Sequence, residues 1–287
     1  MIKSPAAKLR ELMARKDATV VPLAIDPISA KMCETLGFEA LYLGGGTLGY
    51  VKTWSEANLS LTQLAHTTLE MRAASSLPII FDGQCGWGDA MHTRHAIFTA
   101  EAAGAAAIEI EDQLVPKRVH HHIGIEHLIP TEVMVEKIKQ AVAARRDPDF
   151  VIIGRTNAAR PDNVDEAVRR AEAYRRAGAD MIFVLMRNPE HFRRVAERIG
   201  GPLLYMTPCG VSGISLSEMG ALGYKLVVDA ITPFYASIKT LRLCYEAMAK
   251  GQPDPTVGTN PLAETDAIHN SIGLDVLLDI ERQTVER

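Results

Sequence analysis

Asp82 and Glu111 each stand where a short apolar run stops at an acid: Leu77–Ile80 leads through Phe81 into Asp82, and Ala106–Ile110 leads into Glu111, Asp112 and Gln113. A buried parallel strand reads this way, and the first polar side chain past it sits at the sheet's C-terminal edge, where α/β proteins bind ligands. Acids one βα unit apart can share a hard cation such as Mg²⁺, which needs one or two carboxylates and takes its other ligands from water and substrate oxygens. Arg155 closes another run, Phe150–Gly154, and its planar fork suits a substrate carboxylate. Gly44-Gly45-Gly46 ends a further run and offers backbone N–H groups at close approach, or else a plain turn. Asn157, Tyr205 with Thr207, and Asp229 complete a charge-balanced set of strand ends.

Strand-length apolar runs recur at Val20–Ala24, Ala40–Gly44, Leu77–Phe81, Ala106–Glu111, Phe150–Arg155, Met181–Met186, Pro202–Met206 and Lys225–Asp229. Helical spacing fills the gaps, at Ile28–Leu36, Ser60–Ser75, Asp89–Ala103, Thr131–Arg145, Asn163–Ala177, Pro189–Ile199, Ser215–Leu222 and Pro233–Lys250, and an extra helix leads at Ser4–Lys16. Strict alternation predicts parallel strands. Gly37, Gly104, Gly178 and Gly223 each fall between a helix and the next strand, where a left-handed residue closes the helix. Eight such units without a reversal of strand order predict an α/β fold, a closed (β/α)8 barrel, with its site at the strands' C-terminal ends. The chain, 1–287, reads as one domain; past a Pro- and Gly-rich linker, 251–261, helical pattern resumes at Asp266–Arg282, a tail expected to pack on the barrel or on a partner subunit.

Composition narrows the function. At 287 residues, 47% hydrophobic and 23% charged, the chain can bury a full-sized core. A net charge of −4 on an evenly mixed sequence argues against nucleic-acid and membrane-surface roles and leaves a small molecule as the expected partner. Cys33, Cys85, Cys209 and Cys244 are few and unpaired in spacing, and no leader or membrane-spanning run is seen, so cytoplasmic free thiols are expected.

The long irregular segment 113–130 carries Lys117, Arg118, His120, His121, His122, Glu126 and His127. Segments of this length near strand ends act as lids. Neighbouring histidines on an irregular loop point apart, and no Cys or HExxH pattern supports zinc. Lys117 and a histidine as anion and proton contacts are the expected use, set against a merely solvated basic loop.

The chain resembles the isocitrate lyase/phosphoenolpyruvate mutase superfamily, on five motifs in order: Tyr42-Leu43-Gly44-Gly45-Gly46, Asp82-Gly83-Gln84-Cys85-Gly86-Trp87-Gly88, Ile110-Glu111-Asp112-Gln113, Pro116-Lys117-Arg118 and Ile153-Gly154-Arg155-Thr156-Asn157-Ala158. The resemblance implies a barrel whose last helix is swapped between subunits, a homotetramer built as a dimer of dimers, Mg²⁺ with Mn²⁺ as a substitute, and 2-oxo or 2-hydroxy acid substrates. It implies Asp82, Gln84 and Glu111 as the metal shell, with Gln84 replacing an aspartate. Tyr42, Gly45, Gly46, Arg155, Asn157 and Thr207 become substrate contacts, and Lys117, His121, Arg155 and Glu56 catalytic groups. In the lid, lyases of the family carry Lys-Lys/Arg-Cys-Gly-His, the cysteine giving its proton to the departing enolate. Here the run is Lys117-Arg118-Val119-His120-His121, and valine has no proton to give. Three readings follow: a Mg²⁺-dependent C–C lyase or decarboxylase on a small 2-hydroxy or 2-oxo dicarboxylate through a metal-held enolate, phosphonopyruvate-type P–C chemistry, and a carboxylate-binding barrel without turnover.

Overall fold

The computed structural model describes residues 3–160, 163–186, 190–207, 213–257 and 262–285. Eight parallel strands, β1 (Thr19–Pro22), β2 (Leu41–Leu43), β3 (Ile79–Asp82), β4 (Ala107–Glu111), β5 (Val151–Thr156), β6 (Met181–Val184), β7 (Leu203–Met206) and β8 (Tyr224–Asp229), form one sheet in which β8 pairs with both β7 and β1. The seam between β1 and β2 is bridged at Leu23 and Tyr42, where Ala24 N donates to Tyr42 O at 3.0 Å. The sheet is thereby a (β/α)8 barrel, and each expected strand is present to within two residues at either end.

Local chemistry places the helices α1 (Pro5–Ala14), α2 (Pro27–Thr35), α3 (Gly45–Val51), α4 (Leu61–Ala74), α5 (Ala90–Ala102), α6 (Thr131–Ala144), α7 (Val164–Arg176), α8 (His191–Ile199) and α9 (Leu216–Ala221). Ser4 caps α1 ahead of Pro5, and Asp26, Ser60, Asp89 and Ser215 start α2, α4, α5 and α9 with reciprocal capping boxes. Gly37, Gly104, Gly178 and Gly223 all have positive φ, between 84° and 105°, as the helix-to-strand junctions require. Isoleucines such as Ile80, Ile108, Ile110 and Ile152 are buried, while Tyr42 on β2 reaches Glu109 on β4 past β3, which only the barrel interior permits.

Three features depart from the sequence reading. The glycine run after β2 is the first turn of α3 rather than a plain turn, with Gly44 as N-cap. The tail forms two helices, α11 (Leu262–Ile272) and α12 (Leu274–Thr284), because Gly273 between them adopts a left-handed φ of 67°. The chain also divides into two compact units at Ile231, ahead of the expected linker. The second unit begins with the helix after β8, α10 (Thr232–Ala249), which buries Ala247 alone. Among the described residues no helix is long and apolar enough to cross a membrane.

Candidate active site

β3 delivers Asp82 to the barrel mouth, where it is buried and its carboxylate is gripped by backbone: Gly45 N donates to Oδ2 at 2.8 Å and Gln84 N to Oδ1 at 2.9 Å. Asp89, not Asp82, caps the following helix α5. Glycine is required on the facing turn, since a Cβ at Gly45 would sit 3.1 Å from Asp82 Oδ2 and one at Gly46 3.0 Å from Glu56 Oε2. The loop after Asp82 is held in an unusual shape: Gln84, Gly86 and Trp87 have φ of 45°, 70° and 55°. For Gln84 and Trp87 that conformation costs about 1–2 kcal/mol each.

β4 and β5 run in register with Glu111 beside Arg155. Glu111 is enclosed: Asn157 Nδ2 donates to Oε2 at 2.8 Å, Arg155 Nε lies 3.3 Å from Oε2, and Lys117 Nζ lies 2.5 Å from Oε1. One layer deeper, Glu109 accepts from Arg155 Nη1 at 2.6 Å and from the Tyr42 hydroxyl at 3.3 Å, while the guanidinium stacks 4.9 Å from the Phe183 ring centroid. Asp112 fixes both strand ends against α7, accepting from Thr156 Oγ1 (2.7 Å), Asn157 N (3.1 Å), Tyr174 OH (2.7 Å) and Arg170 Nη1 (3.2 Å).

The 113–130 segment lies over this mouth. An antiparallel bridge between Gln113 and Leu128 closes its base, and a 3-10 stretch, Val119–Ile123, ends at left-handed Gly124. Lys117 reaches Glu56 Oε1 at 2.5 Å as well as Glu111, so one ammonium ties the lid to two carboxylates. The three histidines take different polar partners, but they do not all point apart as expected: the His121 and His122 rings lie 4.0 Å apart centroid to centroid, because the 3-10 turn brings them together. His120 Nδ1 meets His127 Nε2 at 2.8 Å, His121 Nε2 lies 2.8 Å from Glu56 Oε1 with its Nδ1 2.6 Å from Arg118 O, and His122 meets Tyr50 OH and Ser55 Oγ at 3.2 and 3.1 Å. Val119, the valine that the resemblance sets against a lid cysteine, is exposed. Cys85 is a buried thiol 3.7 Å from Glu111 Oε1, its pKa pushed well up by burial and by that acid.

Charge is crowded here. Burial alone would raise Glu56 and Glu111, yet Lys117 and His121 together hold Glu56 far below the usual range, and Lys117 with Arg155 holds Glu111 at about 2. Asp82 goes the other way, raised by burial and by Glu56, and among the described residues it has no cation within ion-pair distance. Burial pushes Glu109 up to about 7 against the pull of Arg155. Burial lowers His121, but the Glu56 carboxylate beside it prevails and its pKa is raised. Fully ionised, four carboxylates (Glu56, Asp82, Glu109, Glu111) outnumber Lys117, Arg155 and a protonated His121.

A divalent cation fits that imbalance. Among the described residues no three His, Cys, Asp or Glu side chains converge as a ready ligand set. A hard cation that keeps its waters does not need one. Asp82, held by backbone N–H groups and by no cation among the described residues, is the side chain that could hold it; Glu111, already paired with Lys117 and Arg155, would act through water. Gln84 has a buried Nε2 without a hydrogen-bond partner among the described residues, and its amide can equally turn an oxygen inward.

The structure thus gathers Tyr42, Gly45, Gly46, Glu56, Asp82, Gln84, Glu111, Lys117, His121, Arg155 and Asn157 in one mouth. Gly45's N–H is committed to Asp82, and Arg155 is committed to Glu109. Thr207 follows β7, its N–H donating to Val228 O at 2.9 Å, beside residues 208–212, which with Cys209 lie outside the described residues. Sequence reasoning passed over Glu109. Its signal was a charged residue at an inward position of an apolar strand, two before Glu111 and so on the same face.

Residues 9–250 match the family model described as phosphoenolpyruvate phosphomutase. A 2-methylisocitrate lyase of Aeropyrum pernix is 38% identical over 255 residues, 87% of this chain and 82% of that protein. A 2,3-dimethylmalate lyase of Eubacterium barkeri is 33% identical over 282 residues, 96% of each. A phosphonopyruvate hydrolase solved with oxalate and Mg²⁺ superposes with a TM-score of 0.86 at 26% identity, covering 99% of this chain and all of that one. With this barrel, this order of strand-end groups and these relatives, the chain belongs to the phosphoenolpyruvate mutase/isocitrate lyase family.

Proposed function

We propose that this protein is a Mg²⁺-dependent enzyme that breaks a carbon–carbon bond, as a lyase or decarboxylase, in a small 2-hydroxy or 2-oxo dicarboxylate. The observation that carries the reading is Lys117, whose ammonium is set between Glu56 and Glu111 under the lid, where substrate charge would develop. Mg²⁺, or Mn²⁺ in its place, would withdraw electrons from the substrate's oxygen functions. Asp82 would hold the cation and Gln84 and Glu111 its water shell. Arg155 and Asn157 take the substrate carboxylate, Glu109 sharing the guanidinium. Lys117 offsets the negative charge left when the bond breaks. His121, whose Nε2 lies 2.8 Å from Glu56 and whose pKa that carboxylate raises, would supply the lid with an acid where Val119 cannot. Lid closure keeps water out.

A P–C bond reaction is the second reading, favoured by likeness to a phosphonopyruvate hydrolase. Assembly as a tetramer in the cytoplasm, with the tail on a partner subunit, belongs to the same proposal; α11 and α12 bury no residue within their own chain. The test is a screen of C4–C7 2-hydroxy and 2-oxo dicarboxylates and phosphonopyruvate, with Mg²⁺ and with EDTA. Pyruvate, glyoxylate or CO₂ released only with Mg²⁺ supports the reading; phosphate release moves the protein to the second. Thermal stabilisation without product makes it a carboxylate-binding barrel.

A further inference from the structure

We propose that Lys137, on α6, is the positioning residue that fixes the Gln84–Gly88 loop, and through it the carboxylate of Asp82. Lys137 is 1% exposed, a rare location for a lysine, and among the described residues it has no carboxylate within ion-pair distance. Its ammonium donates instead to two carbonyls of one loop, Cys85 O and Gly88 O, the second at 2.9 Å. It lies on a helix outside the barrel and touches nothing that substrate would touch, so its influence passes through the loop.

The loop needs such a tie. Three of its residues, Gln84, Gly86 and Trp87, have left-handed φ, and two of those carry side chains. Conformations of that kind persist where surrounding contacts over-determine them. Glu111 N donating to Gln84 O at 2.8 Å anchors the first residue to β4, and Trp87 Nε1 donating to Leu59 O at 3.0 Å anchors the indole. Lys137 collects the carbonyls between and beyond those anchors, and a three-donor ammonium suits converging carbonyls. Packing leaves no room for a side chain at Gly86, where a Cβ would lie 2.5 Å from Thr93 Oγ1. The tie bears on chemistry because Gln84 N, inside the strained stretch, is one of the two N–H groups that aim Asp82. Without Lys137 two buried carbonyls lose their donor, the loop relaxes, and Asp82 loses a brace.

The experiment is Lys137→Met, which keeps the length and removes the donors, in a Trp54→Phe background so that Trp87, the remaining tryptophan, reports alone. The expected result is at least a twofold rise in acrylamide quenching of Trp87 with unchanged far-ultraviolet dichroism, together with a 10- to 100-fold loss of Mn²⁺ affinity by electron paramagnetic resonance, the range seen when the groups supporting a ligand are removed. Wild-type quenching and affinity in the folded variant would overturn the proposal and leave Lys137 a core residue. So would a changed loop with unaltered Mn²⁺ affinity. The Mn²⁺ arm rests on the cation reading of the site; if the wild-type protein itself takes up no Mn²⁺, that reading fails and Trp87 quenching alone decides for Lys137. Should Lys137→Met not fold, Lys137→Gln, which retains one donor group, is read by the same two measurements.

Discussion

Glu109 Oε1 lies 2.6 Å from Arg155 Nη1 inside the barrel, so a protein carboxylate already occupies the guanidinium that the sequence assigned to substrate. Glu109→Gln keeps the shape and removes the competing charge, and KM for a carboxylate substrate is expected to fall about 3- to 10-fold, measured by steady-state kinetics at pH 8. A raised KM would mean that Glu109 orients Arg155 rather than competing for it. The pH dependence of stability has a definite sign. The folded carboxyl titrates at about 7 against an ordinary value of 4.5, so the folded state keeps a proton that the unfolded state loses. Stability from this group therefore declines as pH rises from 4.5 to about 7. Urea denaturation across that window should show a shallower decline in the variant.

Asp82→Ala should abolish Mg²⁺-dependent turnover while dichroism and assembly persist. The residue gives up two hydrogen bonds from backbone, a stability loss of about 1–3 kcal/mol, partly offset because a carboxyl strained by burial is removed. Unchanged Mn²⁺ affinity by paramagnetic resonance would sink the site assignment.

Lys117→Ala should lose at least 10³-fold in kcat. It also strands Glu56 and Glu111 without their shared cation, and breaking a buried pair in this way costs about 3–5 kcal/mol. Thermal denaturation at pH 5, where the stranded acids can take up protons, should show a smaller deficit than at pH 8. An equal deficit at both would mean that the acids find another partner.

Alanine at His121 should cost more activity than alanine at His120 or His122, since His121 alone of the three lies against Glu56. Its raised pKa means that the His121–Glu56 contact is complete below the ordinary histidine value near 6.5 and is lost as pH rises through the higher folded value. Activity that needs this proton should fall on the alkaline side, and the fall should vanish in His121→Ala. Three histidine variants with wild-type turnover would place the proton source in solvent and favour decarboxylation.

Truncation after Gly251 removes α11 and α12, whose Leu262, Ile268, Ile272, Val276, Leu277 and Ile280 are exposed in the isolated chain. Light scattering should report a smaller assembly. An unaltered one would rule the tail out as an assembly element.

Strand and helix periods were legible because burial imposes them residue by residue: the strand interiors are mostly buried, Val20 on β1 being exposed, and the four junction glycines could be assigned from spacing alone. Asp82, Glu111 and Arg155 were legible as the first polar groups at strand ends. What sequence could not supply was pairing across strands. The Glu109–Arg155 bond joins residues 46 apart, and Lys137 meets Gly88 from 49 positions away. A lysine in an amphipathic helix reads as solvated until its neighbours are known. At Gly45-Gly46 the sequence left close backbone approach and a plain turn both open; the structure starts α3 there, with Asp82 and Glu56 against the two glycines.

The seam between β1 and β2 also sets a timetable. β1 is paired with β8 along four residues, Thr19 to Pro22 against Leu226 to Asp229, but meets β2 at a single bridge. On α1, Arg10 likewise finds its partners at Pro148–Phe150 and Asp180. During synthesis the first elements made are therefore among the last to be paired, waiting until residue 229 has left the ribosome, while β2 to β5 and the acids they carry can assemble beforehand. The apolar strand Thr19–Pro22 stays open to wrong partners for most of translation, and a nascent-chain binder that covers it should raise the yield of native protein more than one directed at the middle of the chain.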